Sequence, residues 1–137
     1  MQYWLLKSEP TEWSWDKQLA RGEVGEPWTG VRNYQAQGFL KKMKRGDQCF
    51  FYHSGKRKEI VGVVEVIKSF EPDPTDLSKR FGMVTVRAMY PMTPVTLKWV
   101  KAQRGLQTMK LVMQPRLSVQ PVSDTEWTII KEQGIGA

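Results

Sequence analysis

Apolar residues form near-continuous runs in several short segments of this chain, and between those segments they recur at helical spacing. The first run, residues 2–7, stops before Pro10, which lacks the N–H that a sheet requires. It therefore predicts an opening strand. The content of β-branched and aromatic residues predicts further strands at 48–54, 59–70, 83–89 and 117–121. Pro91 and Pro94 are expected to end the fourth of these five strands.

Helices are predicted from caps and from apolar spacing. Ser14 can cap a short helix that runs to Arg21 and stops at Gly22. From Asn33 onward, apolar residues fall at i, i+3, i+4 and i+7, which predicts a helix with one buried face. The residues in this pattern are Ala36, Phe39, Leu40 and Met43.

Two more helices are predicted near the end of the chain. Residues 97–102 form a short one, and Ser123 opens a capping box before a terminal helix that is expected to end at Gly134. Strands joined by loops of varied length, with helices around them, indicate an α+β fold with a small curled sheet. Closure of that sheet into a barrel would remove its exposed edges.

Composition narrows the class of protein. A length of 137 residues favours a single domain spanning 1–137. The net charge of +7 favours a polyanionic partner such as nucleic acid, although a merely soluble basic protein would look the same. No apolar run approaches the roughly 20 residues that cross a bilayer, and no secretory leader is visible. With a single cysteine, Cys49, the chain is expected to be cytoplasmic and to have no membrane partner.

Few residue patterns point to catalysis. His53 is the only histidine and Cys49 the only cysteine, so a zinc site of His and Cys ligands cannot be built from this chain. Phosphate-binding and dinucleotide-binding glycine motifs do not occur in the sequence. Glu65 and Lys68 are three positions apart on a predicted strand and so point to opposite faces. We therefore expect no cofactor, no metal and no catalytic residue.

The run from Trp28 to Ala36 is the strongest indication of binding. It combines Trp28, Gly30, Arg32, Asn33 and Tyr34 within seven positions. These residues supply a stacking face, hydrogen-bonding groups and a cation, which together could hold a planar nitrogen heterocycle beside a phosphate. The alternative is a turn that leads into a helix and carries one core tryptophan.

Polar residues at two strand ends extend this hypothesis. Ser8 and Glu9 end the first strand, and Glu9 could accept from a base amino group or pair with Arg32. Tyr52, His53 and Ser54 end another strand, where pockets of small barrels form, although His53 could equally be a hydrogen-bonded core histidine. A basic hairpin follows directly. The residues expected to contact phosphate are Arg32, Lys56, Arg57 and Lys58.

These motifs, in this order and over nearly the whole chain, resemble the EVE domain family. The matching segments are 4–10, 28–36, 43–54, 109–112 and 116–121. The resemblance implies a PUA-like fold, a small mixed β-barrel of about five to six strands flanked by short helices, related to YTH readers of methylated adenine and to ASCH domains. It also implies a pocket that holds a modified base, notably modified cytosine in DNA, with modified RNA as an alternative.

The resemblance also implies which residues form that pocket. They are Lys7, Ser8, Glu9, Trp28, Val31, Arg32, Asn33, Tyr34, Tyr52, His53 and Ser54. Gln37 departs from the family pattern, in which many members carry arginine, and this implies the loss of one phosphate contact. We expect a non-catalytic reader of an unpaired or flipped modified base. The alternatives are a nuclease or base-processing enzyme on the same nucleic acid, and an accessory subunit that docks on an unknown protein.

Overall fold

The computed structural model describes residues 1–135 and contains one mixed sheet. Its strands are β1 Tyr3–Ser8, β2 Glu26–Pro27, β3 Gln48–His53, β4 Glu59–Pro72, β5 Gly82–Thr96 and β6 Val119–Val122. They lie in the order β2-β5-β4-β3-β1-β6. β1 runs parallel to β3, and the other neighbours are antiparallel. Within residues 1–135 the pairings show a six-stranded mixed sheet, with no ladder that closes it into a barrel.

Five α-helices among the described residues surround the sheet, and several of them begin at a side-chain cap. They are α1 Trp15–Ala20, α2 Tyr34–Lys42, α3 Leu97–Ala102, α4 Lys110–Met113 and α5 Asp124–Ile135. The side chains of Ser14 and Asn33 each accept from a backbone N–H three residues later. Ser123 and Glu126 form the predicted capping box, with bonds of 3.1 and 2.9 Å. Within residues 1–135, no helix has the length and apolar character needed to cross a bilayer.

The prediction that Pro91 and Pro94 end a strand is wrong, because β5 continues to Thr96. The ladder between β4 and β5 shifts register repeatedly, including between the Ile60 and Gly62 positions that face this part of β5. Proline is tolerated where a bulge interrupts the ladder, since no regular N–H donor is then required.

The prediction that Gly134 ends the last helix is also wrong, since α5 includes Ile135. A Cβ at position 134 would collide with Met92 of β5, so this glycine allows α5 to approach the sheet closely. The short strand β2 is not among the strands predicted from the sequence. It forms because Glu26 and Pro27 pair with Val86 and Thr85 of β5.

The sheet has a hydrophobic core on each face. Because neighbouring residues of a strand point to opposite faces, Leu6 and Phe51 pack under α1 and α2, whereas Leu5 and Phe50 pack under α3 to α5. Trp127 of α5 stacks on Phe50 with ring centroids 3.9 Å apart. Burial on both faces explains why the strands are almost continuously apolar.

Candidate functional site

A pocket of about 450 Å³ opens where β1 ends, beside the segment that leads into α2. We call it the β1 pocket. Its volume lies within the range of roughly 300–1,000 Å³ that is typical of small-molecule sites. The predicted site residues that line it are Lys7, Ser8, Glu9, Trp28, Val31, Arg32 and Asn33. Segments far apart in the sequence therefore meet at one mouth, as the sequence predicted for these seven residues.

The end of β1 supplies a cation and a hydroxyl to the pocket. The Lys7 ammonium donates to the Pro115 carbonyl at 2.7 Å, and partial burial lowers the pKa of this amine. The Ser8 hydroxyl donates to the Trp13 carbonyl at 2.7 Å, which fixes the turn after β1. Because the hydroxyl hydrogen is used in this bond, Ser8 can offer a ligand only acceptor lone pairs.

Glu9 links the β1 pocket to the hairpin that follows β3. Its carboxylate occupies the space where a Cβ at position 55 would stand. Gly55 has φ +73°, so a glycine suits this turn for both its backbone angle and its missing side chain. The basic hairpin therefore lies on the Glu9 side of the pocket, although it does not line it.

Trp28 is both a core residue and a pocket wall. Only 7% of its surface is exposed, and its ring meets Phe51 edge-on at 5.6 Å. The backbone N–H of Trp28 donates to the Val84 carbonyl at 2.7 Å, which ties this segment to β5. The core position inferred from the sequence is therefore confirmed for Trp28, and its role as a stacking face for a base stays a prediction.

Sequence reasoning missed Trp13, a second tryptophan that lines the pocket. Trp13 is half-buried, and its indole N–H donates to the Gln18 side chain at 2.9 Å. Its position in the turn that follows β1, three residues after Pro10, could have indicated a place beside the predicted pocket. Glu12 and Glu26 also line the pocket and were not predicted.

Arg32 pairs with Asp73 and not with Glu9, which the sequence analysis offered as its partner. The Asp73 carboxylate accepts from the Arg32 guanidinium at 3.0 Å and from the Gly30 N–H at 2.9 Å. Burial by itself would raise the pKa of Asp73, but hydrogen bonds from Thr75, Gly30 and Arg32 hold that pKa below its ordinary value. Asp73 thus anchors the loop that carries part of the pocket wall.

Gln37 has a structural role that the resemblance to the EVE domain family did not predict. It is buried, with 3% of its surface exposed. Its amide donates to the carbonyls of Val31 and Gly82 and accepts from the Gly82 N–H. Because the side chain faces the interior and holds the pocket loop from beneath, this position does not present a side chain to phosphate.

Three other predicted pocket residues do not line the β1 pocket. Tyr52 faces the core under α3 to α5, because it alternates with Phe51 along β3. Tyr34 is 67% exposed and packs against Phe81. Ser54 lies beyond the end of β3, where its backbone N–H donates to the Ser8 carbonyl at 2.9 Å. The prediction that these residues line one pocket with Trp28 is wrong.

His53 is also outside the pocket lining and is held in the protein interior. Its Nε2 accepts from the Trp15 backbone N–H at 3.0 Å, which requires a neutral ring. Burial lowers the pKa of His53, and the Arg57 charge lowers it further. Carboxylates at Glu59, Asp16 and Glu9 act in the opposite direction without reversing the shift.

We expect this histidine to make stability depend on pH. Its folded pKa lies below the unfolded value of about 6.5, so the unfolded state gains protons first as pH falls. The free energy of unfolding should therefore decrease from pH 7.5 to 5.5, by at most about 1.4 kcal/mol per pH unit. His53→Gln keeps an acceptor for Trp15 and should remove most of this dependence. Urea titrations at both pH values measure it, and an equal pH slope in the variant would contradict the assignment.

The hairpin cations are exposed. Lys56, Arg57 and Lys58 lie in the turn between β3 and β4, and Arg57 approaches Glu59 at 3.8 Å. Exposed pairs of this kind contribute little to stability. The hairpin cations are thus free to face solvent beside the pocket, on the side marked by Glu9 and Gly55.

Comparison with known proteins places this geometry in a family. The model of the EVE domain matches residues 2–133. Mouse thymocyte nuclear protein 1 is 36% identical over 93% of this chain and 71% of its own length. The chicken counterpart is matched over 66% of its length, so the chain spans only about two thirds of these relatives.

Solved structures show the same relationship. A protein from Rhodopseudomonas palustris superposes with a TM-score of 0.93 at 51% identity, covering 98% of this chain and 93% of the other. Human THYN1 in complex with 5-methylcytosine-containing DNA superposes with a TM-score of 0.91 at 30% identity, covering 97% of both chains. An ASCH mutant protein from Zymomonas mobilis, at 11% identity and a TM-score of 0.61, shares the fold alone. The chain belongs to the EVE domain family.

Proposed function

We propose that this protein is a non-catalytic reader of a modified base, above all modified cytosine in DNA, and that the base enters the β1 pocket. One observation carries the proposal: the likeness to human THYN1, a protein crystallised with 5-methylcytosine-containing DNA, extends over 97% of both chains. The lining of the β1 pocket by two tryptophans and several polar groups supports it.

The tryptophans explain how a base would be held. Stacking of a base on an aromatic side chain contributes about 1–3 kcal/mol, and Trp28 and Trp13 both line the pocket. A base inside a duplex has both faces covered by its neighbours, so it must leave the stack before it can enter a concave site. Single-stranded, mismatched or flipped bases are therefore the expected ligands.

The polar groups fit the pairing edge of cytosine. The Asn33 side-chain oxygen already accepts from the Ala36 N–H, so its amide NH₂ is the group left to donate. Glu9 and Ser8 offer acceptors at the end of β1. Cytosine presents a donor at its amino group and acceptors at N3 and O2, whereas thymine presents an acceptor in place of the amino group. We therefore expect cytosine to be preferred over thymine.

The methyl group would add a smaller preference. Burying one carbon contributes roughly 0.8 kcal/mol, which corresponds to a few-fold change in affinity. The polar contacts select cytosine, and the methyl group then raises affinity for the modified form.

Equilibrium binding tests this proposal. Labelled oligomers with 5-methylcytosine, cytosine or thymine at one position are compared as single strands, as paired duplexes and opposite a mismatch. We expect 5-methylcytosine to bind a few-fold more tightly than cytosine, thymine to bind more weakly than cytosine, and paired duplexes to bind least. Equal affinity for all three bases would contradict the proposal.

The absence of catalysis is a separate part of the proposal and needs its own assay. The same oligomers are incubated with the protein and with Mg²⁺ or Mn²⁺, and their masses are measured. We expect unchanged masses. Cleavage or base loss that disappears in Glu9→Gln would favour a base-processing enzyme or nuclease instead.

The hairpin is expected to supply affinity that does not depend on base identity. Replacing Lys56, Arg57 and Lys58 with Gln should weaken binding to modified and unmodified single strands alike. Each lost phosphate contact lowers the slope of log K against log salt by about 0.7 for a single strand, so the slope should fall by roughly 2.

A matched variant controls for net charge. Replacing Lys41, Lys42 and Lys44 with Gln removes the same charge at the far end of α2. An equal loss of salt dependence in both triple variants would contradict a specific role for the hairpin. Wild-type affinity that does not respond to salt would contradict nucleic-acid binding itself.

A further inference from the structure

A second depression lies beside the β1 pocket and is not explained by the single base proposed above. It has a volume of about 340 Å³. Asn33, Gln35, Gln114, Pro115, Arg116 and Leu117 line it. We call it the side groove.

The side groove adjoins the β1 pocket at both of its rims. Asn33 lines both depressions. On the other rim, Pro115 lines the side groove and Ser118 lines the β1 pocket, and the carbonyls of both accept hydrogen bonds from Lys7. Lys7 donates its ammonium to the Pro115 carbonyl at 2.7 Å and its backbone N–H to the Ser118 carbonyl at 3.0 Å. The two depressions therefore adjoin each other at Asn33 and at the Lys7 side.

The charges of the two depressions differ. Glu9, Glu12 and Glu26 line the β1 pocket beside Lys7 and Arg32. No carboxylate is among the residues of the side groove, where Arg116 is exposed and forms no ion pair within residues 1–135. Gln35 and Gln114 add neutral amide groups. This combination suits an anion flanked by polar groups, which is the chemistry of a phosphodiester and its sugar.

We propose that the side groove is the subsite for the nucleotide adjacent to the modified base, with Arg116 in contact with the intervening phosphate. The inference rests on the proposed function and deepens it by giving the strand a path across the surface. The basic hairpin adjoins the pocket on the Glu9 side, whereas the side groove adjoins it across Asn33. A single strand thus passes the hairpin, places its modified base in the β1 pocket and continues past Asn33 to Arg116.

Single-stranded oligomers of equal length test the path. They carry 5-methylcytosine in the centre, at the 5′ end or at the 3′ end, with cytosine versions of each. Wild-type protein should bind the central version best, and the two end versions should differ in affinity, because only one of them lacks the nucleotide that occupies the side groove. Arg116→Gln should bind the central oligomer roughly fivefold more weakly, the equivalent of about one exposed ion pair, with a salt slope smaller by about 0.7.

Arg104→Gln is the matched control. Arg104 is likewise exposed and unpaired within residues 1–135, but it belongs to the short 3₁₀ helix Arg104–Leu106, away from both depressions. The ratio of affinities for 5-methylcytosine and cytosine should be unchanged in Arg116→Gln, because the base pocket is intact. Equal losses in Arg116→Gln and Arg104→Gln would overturn the side-groove inference alone. A wild-type ratio of one would instead overturn the proposed function, and the inference with it.

Discussion

Trp28→Ala is expected to lower the free energy of unfolding by about 3–5 kcal/mol. Only 7% of the Trp28 surface is exposed, and the ring packs edge-on against Phe51 in the core under α1 and α2. Truncation to alanine removes this packing and leaves a cavity next to the β1 pocket. Chemical denaturation measures the loss directly, and a change below about 1 kcal/mol would contradict the core position of Trp28.

Binding must be tested with a milder substitution, because Trp28→Ala would lower stability and remove the stacking surface at the same time. Trp28→Phe retains an aromatic ring in the core but presents a smaller face to the pocket. We expect it to remain folded and to bind 5-methylcytosine oligomers several-fold more weakly, near the lower end of the stacking range of about 1–3 kcal/mol, because part of the aromatic face remains.

Trp127→Phe is the matched control for this experiment. Trp127 stacks on Tyr3 and on Phe50 in the core on the other face of the sheet and does not line the β1 pocket. It should lower stability and leave the affinity for the modified base unchanged. Wild-type affinity in a folded Trp28→Phe protein would contradict the role of Trp28 as a wall of the base site.

The second large effect is expected at Asp73. Its carboxylate is buried and accepts hydrogen bonds from Gly30, Arg32 and Thr75. Asp73→Ala leaves these donors without their acceptor and should lower the free energy of unfolding at pH 7 by roughly 2–3 kcal/mol, at the lower end for buried pairs because Arg32 is partly exposed. Affinity for the oligomers should also fall, since the loop from Gly30 to Arg32 lines the β1 pocket.

The pH dependence separates this ion pair from simple packing. The folded pKa of Asp73 lies below its ordinary value. A carboxyl group with a lowered pKa stabilises the fold fully above its unfolded pKa of about 3.9, and this contribution is lost as pH falls through the folded value. The difference between wild type and Asp73→Ala should therefore shrink from pH 7 toward pH 3.

Asp76→Ala is the control in the same loop. Asp76 bonds to Ser78, Arg80 and Phe81 but not to Gly30 or Arg32. It should leave oligomer affinity nearly unchanged. Equal losses of affinity in Asp73→Ala and Asp76→Ala would show that the loop matters as a whole and would contradict a specific anchor for Arg32.

The sequence predicted the features that depend on local chemistry. Ser14 and Ser123 act as helix caps, as predicted, because their side chains reach N–H groups only three residues away. The opening strand was also recognisable, since its apolar run is bounded by proline. The strand ends and the segment from Trp28 to Asn33 converge because the pairing of β1 with β3 and of β2 with β5 brings them together.

Features that depend on distant partners were not predictable in this way. Asp73 is 41 positions from Arg32, and nothing in the proline-rich segment around it marks it as the anchor of the pocket loop. The continuation of β5 past Pro91 depends on bulges in its ladder with β4. Tyr52 and His53 are neighbours on β3 and must point to opposite faces, so the alternation of the strand already argued against one shared pocket for both.

Chemical-shift titration of the ¹⁵N-labelled protein tests the central claim most directly. Variants in which single tryptophans are replaced by Phe assign the indole N–H signals of the chain's six tryptophans. On addition of a short single strand with one 5-methylcytosine, we expect the Trp28 and Trp13 indole signals and the Asn33 side-chain amide to shift most. An otherwise identical strand with thymine should shift mainly the backbone signals of Lys56 to Lys58. Shifts confined to the hairpin with both strands, or equal shifts in the β1 pocket with both, would contradict a base-reading pocket.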